Sequence, residues 1–257
     1  MKKIFNCFRD LFTIHKIHNQ IITHEEKIER DLYFNKKIMQ EILNAIKFNN
    51  TIDGSKWFIN KNISPGGPAV DYAFFYTLYR TLSSFKPHNI LEFGLGQSSK
   101  MIHQYASFYN RNAVTVEHDK NWANFFTESI DGDYPVKIKI MELDTIDYKG
   151  VKALTYKDCK KNFMGQKFDL ILVDGPFGYA PDTIYSRPQI IEIVKNNIAD
   201  NFVIIIDDFD RTGEKNTTKE IFDYFNQENI KYVYQEYGSL KKHLLVTTPR
   251  HNFLTSL

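Results

Sequence analysis

Two uninterrupted apolar runs limit the folds that are open to this chain. The runs are DLILV at 169–173 and FVIII at 202–206, and neither alternates polar with apolar residues. A strand of that kind is buried on both faces, which is typical of a parallel sheet covered by helices. Three more β-rich runs precede them, with stretches long enough for a helix between successive runs: Asn89–Phe93, Ala113–Glu117 and Val136–Met141.

The end of the chain predicts a different connection. Strands are expected at Lys231–Glu236 and His243–Thr248, with Gly238, Ser239 and Leu240 between them, which indicates an antiparallel hairpin. Together the runs predict an α/β fold with a doubly wound, Rossmann-like sheet of seven strands. Five of the strands are expected to be parallel, the last two form the hairpin, and helices flank the sheet.

The first part of the chain has another pattern. Residues 1–50 contain neither Gly nor Pro, and their apolar residues recur at helical spacing until Asp53 and Gly54 signal a stop. We therefore predict an N-terminal helical extension over residues 1–60 and an α/β domain over residues 61–257. The extension is expected to pack on the domain, to join a second copy in a homodimer, or to contact a membrane surface.

The charge balance argues against nucleic acid as a partner. With 33 Lys+Arg and 31 Asp+Glu, the formal net charge is only +2, and the surplus lies in the first 20 residues. There, Lys2, Lys3, Arg9 and Lys16 oppose a single acid, Asp10. Two cysteines cannot form a disulfide framework or a zinc site, and no apolar run reaches the ~18 residues of a membrane span. We expect a cytoplasmic protein, or one peripheral to the inner membrane through its extension.

A glycine loop follows the first predicted strand. It reads EFGLGQSS from Glu92 to Ser99, with Gly94 and Gly96 one residue apart between a strand and a helix. Such glycines let the backbone turn tightly and approach a ligand, and the helix that follows offers free N–H groups. Glu117 closes the next strand, where a carboxylate can accept hydrogen bonds from ribose hydroxyls. The pattern predicts a site for a nucleoside cofactor.

Two cofactors of this kind are compatible with the loop, a dinucleotide and S-adenosylmethionine (SAM). The third glycine of the dinucleotide fingerprint is absent, and Ser98 and Ser99 stand in its place. Glu92 suits a ligand that carries an ammonium group, such as a methionine moiety. SAM is therefore favoured, and a dinucleotide-dependent oxidoreductase stays the less favoured alternative.

With this loop, the acid after the second strand and the terminal hairpin, the chain resembles class I SAM-dependent methyltransferases over roughly residues 65–250. The resemblance implies a glycine loop under the methionine part, an acid at the ribose and an acid after the third strand near adenine. For the last place Glu142 is a rival of Asp144. The residues assigned to the cofactor are Glu92, Gly94, Gly96, Gln97, Ser98, Ser99, Glu117, His118 and Asp144.

A narrower resemblance concerns the acceptor. The segments FDLILVDGPFGYAPDTIYSRPQII and VIIIDDFDR are similar to the polysaccharide-methylating branch typified by glucuronoxylan 4-O-methyltransferases. This implies methyl transfer to a hydroxyl of a sugar or of a surface-polysaccharide precursor, such as one for a capsule. Two alternatives stay open: N- or O-methylation of a small non-sugar acceptor, and a non-catalytic SAM-fold subunit that supports a partner.

Three acids follow the last two parallel strands. Asp174 ends the fourth strand, and Asp207 and Asp208 end the fifth, so all three are expected at one crevice. Such carboxylates repel one another unless one is protonated or a cation joins them, and oxygen ligands suit Mg²⁺ or Mn²⁺. The arrangement is similar to that of metal-dependent catechol-type O-methyltransferases. We predict Asp174 as general base or metal ligand, Asp208 as the second choice and His118 as a rival base.

Acceptor contacts are expected from residues near these acids. Tyr179, Tyr185 and Arg187 lie in the insert after the fourth strand, and Arg211 follows the fifth. Aromatic faces suit the C–H surfaces of a sugar, and an arginine suits a uronate or a phosphate. In the alternative interpretation the tyrosines belong to the core and Arg187 pairs with an acid.

Overall fold

The computed structural model describes residues 2–67, 69–130, 134–177 and 185–257, with side chains from residue 22 onward. The chain begins with one helix of 51 residues, α1 (Lys2–Ile52), which ends where the stop signal was predicted. Its last turns pack on α2 (Tyr72–Phe85), a helix that Asp71 caps by accepting a hydrogen bond from the backbone N–H of Phe74. None of the helices in the described ranges combines the length and apolar character that crossing a membrane requires.

The central sheet has seven strands in the order β3-β2-β1-β6-β7-β9-β8. Neighbours from β3 to β7 run parallel, and β9 is antiparallel to both β7 and β8. All seven predicted strands are present, so the doubly wound fold is confirmed. Their bounds are β1 (Asn89–Phe93), β2 (Asn112–Glu117), β3 (Ile138–Ile140), β6 (Phe168–Val173), β7 (Ile198–Ile206), β8 (Val233–Gly238) and β9 (Lys242–Thr247).

One connection differs from the prediction. Between β3 and β6 we expected a helix, but the chain forms an antiparallel hairpin of β4 (Leu143–Tyr148) and β5 (Val151–Tyr156), followed by the short α5 (Cys159–Asn162). The β-branched and aromatic residues of the hairpin favour strands, and Lys149 and Gly150 make its turn with positive φ. The remaining helices are α3 (Gln97–Tyr109), α4 (Lys120–Glu128), α6 (Gln189–Asn197) and α7 (Thr212–Gln227), and a 3₁₀ segment follows at Pro249–Thr255.

The sheet is buried on both faces, as its continuous apolar runs predicted. Leu170 and Leu172 of β6 belong to one core cluster, with α2, α3 and the end of α1. Ile171 and Val173 belong to the other, with α6 and α7. The order of the strands reverses between β1 and β6, so their carboxyl ends form the crevice where ligands bind in open α/β sheets.

Phe48 joins the long helix to the domain. Its side chain is 1% exposed, and its ring lies 5.8 Å from that of Phe75 and 6.0 Å from that of Tyr72. The end of α1 therefore belongs to the same core as the sheet.

We expect Phe48→Ala to lower the free energy of unfolding by about 3–5 kcal/mol, because it leaves a cavity between α1 and α2. Phe34→Ala, which truncates an exposed phenylalanine of the same helix, should change it by less than about 0.5 kcal/mol. Denaturant unfolding of both variants measures the difference. Equal losses would mean that Phe48 does not anchor α1.

Candidate functional site

Two loops at adjacent strand ends touch backbone to backbone. Gly94 follows β1 with φ +98°, and Gly175 follows β6 by two residues. A Cβ on Gly94 would lie 2.8 Å from the carbonyl carbon of Asp174, and one on Gly175 would lie 2.6 Å from the Cα of Gly94. Neither position admits a side chain. This contact sets the glycine loop directly beside Asp174.

Gly96 differs from these two glycines, because the backbone around it leaves room for a side chain. Its φ of −163° is open to any residue, and no atom lies within 4 Å of the place its Cβ would take. The fold itself therefore does not call for glycine here. The open space beside Gly96 lies at the N-terminus of α3, and we call it the cradle. Free N–H groups and the helix dipole at such a terminus would face a ligand bound there. The residues fit a cofactor that lies against the loop.

Glu92 has a different role from the one predicted. It is completely buried, and its carboxylate accepts hydrogen bonds from the hydroxyls of Ser98 (2.6 Å), Ser99 (2.7 Å) and Thr115 (2.7 Å). Burial raises the pKa of Glu92 to about 7. Glu92, Ser98 and Ser99 thus fix the start of α3 from beneath and do not face the crevice. The spacing alone could not separate an acid that contacts a ligand from one that holds the loop.

Gln97 reaches away from the loop as well. Its side-chain oxygen accepts a hydrogen bond of 3.2 Å from the backbone N–H of Ser64. Gln104, two turns further along α3, is bonded to the backbone of Asn60 through both ends of its amide. These hydrogen bonds hold the segment that precedes α2 against the side of α3.

Glu117 connects the second strand to the glycine loop. One carboxylate oxygen accepts from the backbone N–H of Leu95 at 3.2 Å, and the other accepts from those of His118 and Asp119. Trp122 holds the same loop from the other side by donating to the Leu95 carbonyl oxygen at 2.8 Å. Glu117 thus lies at the edge of the glycine loop and is held there by three backbone N–H groups.

His118 lies beside Glu117 at the same edge. Its Nδ1 is 2.7 Å from the Glu117 carboxylate, and its ring centre is 5.4 Å from that of Phe177. Phe177 is 51% exposed and follows β6, so it contributes an aromatic surface to the crevice. No spacing in the sequence singled out Phe177, although it stands in the DGPFGY motif.

Asp144 is not at the cradle. It belongs to β4 of the hairpin and lines a cavity of about 710 Å³ between the hairpin and α6. Its rival Glu142 is largely exposed, with Lys157 at 3.6 Å. The residue of this segment that lies beside Glu117 is Met141, whose backbone N–H donates to the Glu117 carbonyl oxygen at 2.8 Å. The hairpin, which was not predicted, begins at Leu143, so Asp144 lies within its first strand.

The structure brings the three predicted acids together. Carboxylate oxygens of Asp174, Asp207 and Asp208 lie within 4.8 Å of one another. The cation among them is Arg187, whose Nη2 is 3.4 Å from Asp174 and 3.0 Å from Asp208. The same guanidinium donates to the backbone oxygens of Pro176, Asp207 and Asp174. An arginine thus takes the place predicted for Mg²⁺ or Mn²⁺, and the geometry does not support that prediction.

Further charges complete this cluster. Arg211 is 2.8 Å from Asp208, and Glu214 is 3.7 Å from Arg187. Burial and the neighbouring acids raise the pKa of Asp207 well above its ordinary value, and its side chain is hydrogen-bonded to Asp174. Burial thus favours the neutral form of Asp207 over its carboxylate. Asp208 adopts a left-handed φ of +56°, a conformation that Asp tolerates better than most residues.

Asp174 is the acid of the cluster that solvent reaches most, with 24% of its side chain exposed. Burial and the charge of Asp208 raise its pKa to about 6, although Arg187 and Lys241 oppose this rise. Near neutral pH it is a carboxylate with appreciable proton affinity, which is what a general base requires. Lys241 lies in the turn between β8 and β9, and nothing in the sequence pattern singled it out.

The residues predicted to contact the acceptor differ in burial and in their contacts. Arg187 is 4% exposed and its guanidinium is taken by the acids, so it is not available to a substrate. Tyr185 is 8% exposed, packs on Tyr148 and accepts a hydrogen bond from Asn216, so it belongs to the core. Arg211 keeps 37% of its side chain exposed beside Asp208. Tyr179 lies outside the described residues.

No protein-family model matches the chain, and no curated protein does. Among solved structures, 120 chains match. A Podospora anserina methyltransferase bound to SAH (S-adenosylhomocysteine) is 15% identical, with 77% of this chain and 94% of that chain covered and a TM-score of 0.45.

Human methyltransferase-like protein 13 with SAH is 14% identical, with 67% of this chain and 75% of that chain covered and a TM-score of 0.44. A probable spermidine synthase of Corynebacterium glutamicum is 15% identical, with 72% and 67% covered and a TM-score of 0.41. Similarities of this size do not assign an activity to the chain.

Glu92→Gln should change how stability depends on pH. The unfolded carboxyl loses its proton near 4.5, whereas the folded one keeps it to about 7. The unfolded state then binds fewer protons in this window, so the wild type loses stability relative to the variant as pH rises from about 4.5 to 7, by up to about 3 kcal/mol.

Urea unfolding across that range measures the effect. Glu128→Gln, an exposed glutamate at the end of α4, should follow the wild-type curve. Parallel curves for wild type and Glu92→Gln would contradict the proposed burial of an ionisable Glu92.

Proposed function

We propose that the chain is a SAM-dependent O-methyltransferase. The observation that carries the proposal is the cradle at Gly96, which the fold does not require and which opens beside both Glu117 and Asp174. The loop from Gly94 to Gly96 and the N-terminus of α3 would hold the methionine part of SAM. Glu117 would accept hydrogen bonds from the ribose, and His118 would stand at the wall of the adenosine pocket.

Bound SAM supplies a methyl group attached to a positively charged sulfur. The sulfur leaves readily because it becomes a neutral thioether when the methyl group is transferred. The protein must bring an acceptor hydroxyl to this methyl and remove its proton, because a protonated hydroxyl is a poor nucleophile. Asp174 is placed for this role, since it stands beside the glycine loop and is the most exposed acid of the cluster. Methyl transfer is then a direct displacement, without a covalent enzyme intermediate.

Arg187 and Asp207 keep Asp174 in position. The guanidinium holds the Asp174 and Asp208 carboxylates together, and the Asp207 side chain adds a hydrogen bond to Asp174. Their charges are balanced within the protein, so the proposed mechanism needs no divalent metal.

We propose that the acceptor hydroxyl belongs to a sugar or a surface-polysaccharide precursor. The polysaccharide-branch motifs support this, as does the exposed part of Arg211, which suits a carboxylate on a uronic acid. Phe177 offers an aromatic surface for sugar C–H groups near the same strand end. A small non-sugar acceptor and a non-catalytic role in support of a partner are the outcomes to distinguish.

The cofactor is tested by calorimetry with S-adenosylhomocysteine and, separately, with NAD. We expect only the former to bind, and Gly96→Ala to weaken binding at least about tenfold by filling the cradle, without loss of stability. Ser107→Ala, at the exposed far end of α3, is the matched control. Binding of NAD alone would overturn the proposal.

Asp174→Asn should lower kcat about 10²- to 10⁴-fold while it leaves S-adenosylhomocysteine binding intact, because the amide cannot accept the proton. The assay follows methyl transfer from labelled SAM to oligosaccharides that contain glucuronate. In the wild type, kcat should rise with pH through about 6 as Asp174 ionises. Asp200→Asn, at the exposed start of β7, controls for the lost charge.

EDTA should leave this activity unchanged, since Arg187 supplies the positive charge among the acids. A full rate for Asp174→Asn would remove Asp174 from the mechanism. If S-adenosylhomocysteine binds but no oligosaccharide is methylated, the sugar acceptor is wrong while the cofactor assignment stands.

A further inference from the structure

The long helix α1 carries an apolar stripe that its own domain does not cover. The stripe consists of Ile28, Leu32, Met39, Ile42 and Ile46, with the polar Asn35 between Leu32 and Met39. When Asn35 is included, successive positions are alternately four and three residues apart. Their exposed fractions range from 47% to 64%. Single exposed apolar residues are ordinary, but five along one side of a helix, interrupted by Asn35 alone, mark an interaction surface.

The stripe points away from the domain. The contacts of α1 with the domain include those of Glu41, Phe48 and Ile52: Phe48 and Ile52 are buried, and Glu41 accepts a hydrogen bond from the Tyr72 backbone. At 3.6 residues per turn they share one side of the helix, and the stripe from Ile28 to Ile46 lies on the opposite side. Packing on the domain therefore cannot bury it.

The length of α1 makes a partner necessary. A helix of 51 residues is roughly 77 Å long, and residues 22–36 are all exposed. A helix owes most of its stability in water to the packing of its apolar face, so a projecting stretch with such a face needs something to pack against.

The spacing identifies the kind of partner. Alternating intervals of three and four residues give a repeat of 3.5, the period at which one helix stays in register with another in a coiled coil. Leu32, Met39 and Ile46 occupy the first core position of the heptad, and Ile28 and Ile42 occupy the second. The sequence continues the same spacing upstream at Leu11, Ile14 and Ile21.

We propose that this stripe binds the same stripe of another copy of the chain, in a parallel, in-register coiled coil. The flanking positions support a copy as the partner. Asp31 would lie opposite the partner's Lys36, and Ile38 opposite the partner's Leu43, so an opposite-charge pair and an apolar pair flank the core. No like charges meet at these positions between residues 31 and 43.

Symmetry supplies the rest of the fit. Identical stripes have matching length and spacing, and Asn35 meets Asn35 of the partner subunit only when the register is exact to the residue. A polar residue in one layer of an apolar core specifies register in this way. Isoleucine at the second core position, with Leu32 and Ile46 at the first, favours three or four strands over two.

Sedimentation velocity of the full chain at micromolar concentration tests the proposal. We expect a mass of two or more times 30.2 kDa. Leu32→Glu with Met39→Glu should give a monomer that still binds S-adenosylhomocysteine, since both side chains are exposed and distant from the crevice. Tyr33→Glu with Gln40→Glu places the same charges off the stripe and should leave the assembly intact.

Cysteine cross-linking checks the register. In a Cys7→Ser background, Met39→Cys should form a disulfide-linked dimer on oxidation, whereas its neighbour Gln40→Cys should not. Cys159 is buried and stays out of the reaction. A monomeric wild type, or equal cross-linking at both positions, would overturn the proposal.

Flotation with vesicles of phosphatidylglycerol and phosphatidylcholine tests the competing occupant. A monomer that floats with these vesicles would assign the stripe to a membrane surface and overturn self-association. Neither result bears on the cofactor, which calorimetry measures separately.

Discussion

The contact between Gly94 and Gly175 is the constraint on which the candidate site depends. Parallel β1 and β6 are neighbours, and the loops after them leave the sheet at the same edge. Their backbones meet at distances that no side chain would allow. This close approach sets the cradle at the start of α3 beside Asp174. A glycine loop and an acid that are distant in sequence thereby share one crevice.

Charge balance within the cluster is the second requirement. Several acids gather where β6 and β7 end, and burial without compensation would be costly. Arg187 and Arg211 supply positive charge, and burial favours the neutral form of Asp207. Lys241 adds to this, and the same turn carries Ser239, which hydrogen-bonds to Glu41 of α1 and to Asp71 before α2. Polar contacts therefore tie the long helix to the turn that carries Lys241, whose charge acts on Asp174 and Asp207.

The sheet could be predicted well from the sequence, because strands that are buried on both faces appear as continuous apolar runs. The sequence predicted less of the site, because the residue types alone do not tell which way a carboxylate faces. Glu92 has the expected place near the end of β1, yet its oxygens accept hydrogen bonds from Ser98, Ser99 and Thr115. Asp144 follows the third strand as expected, yet it has been carried into the β4–β5 hairpin. Arg187 was a candidate substrate contact and proved to be a buried counter-ion.

The sequence by itself determined the doubly wound sheet, the glycine loop, the three acids at one edge and the long N-terminal helix, since all follow from local pattern and strand order. Only the tertiary structure decided which of these groups face the crevice. It placed Arg187 among the acids, left Gly96 open and buried Glu92. It also turned the apolar stripe of α1 away from the domain. Such outcomes depend on contacts between residues far apart in the chain, and local periodicity carries no record of them.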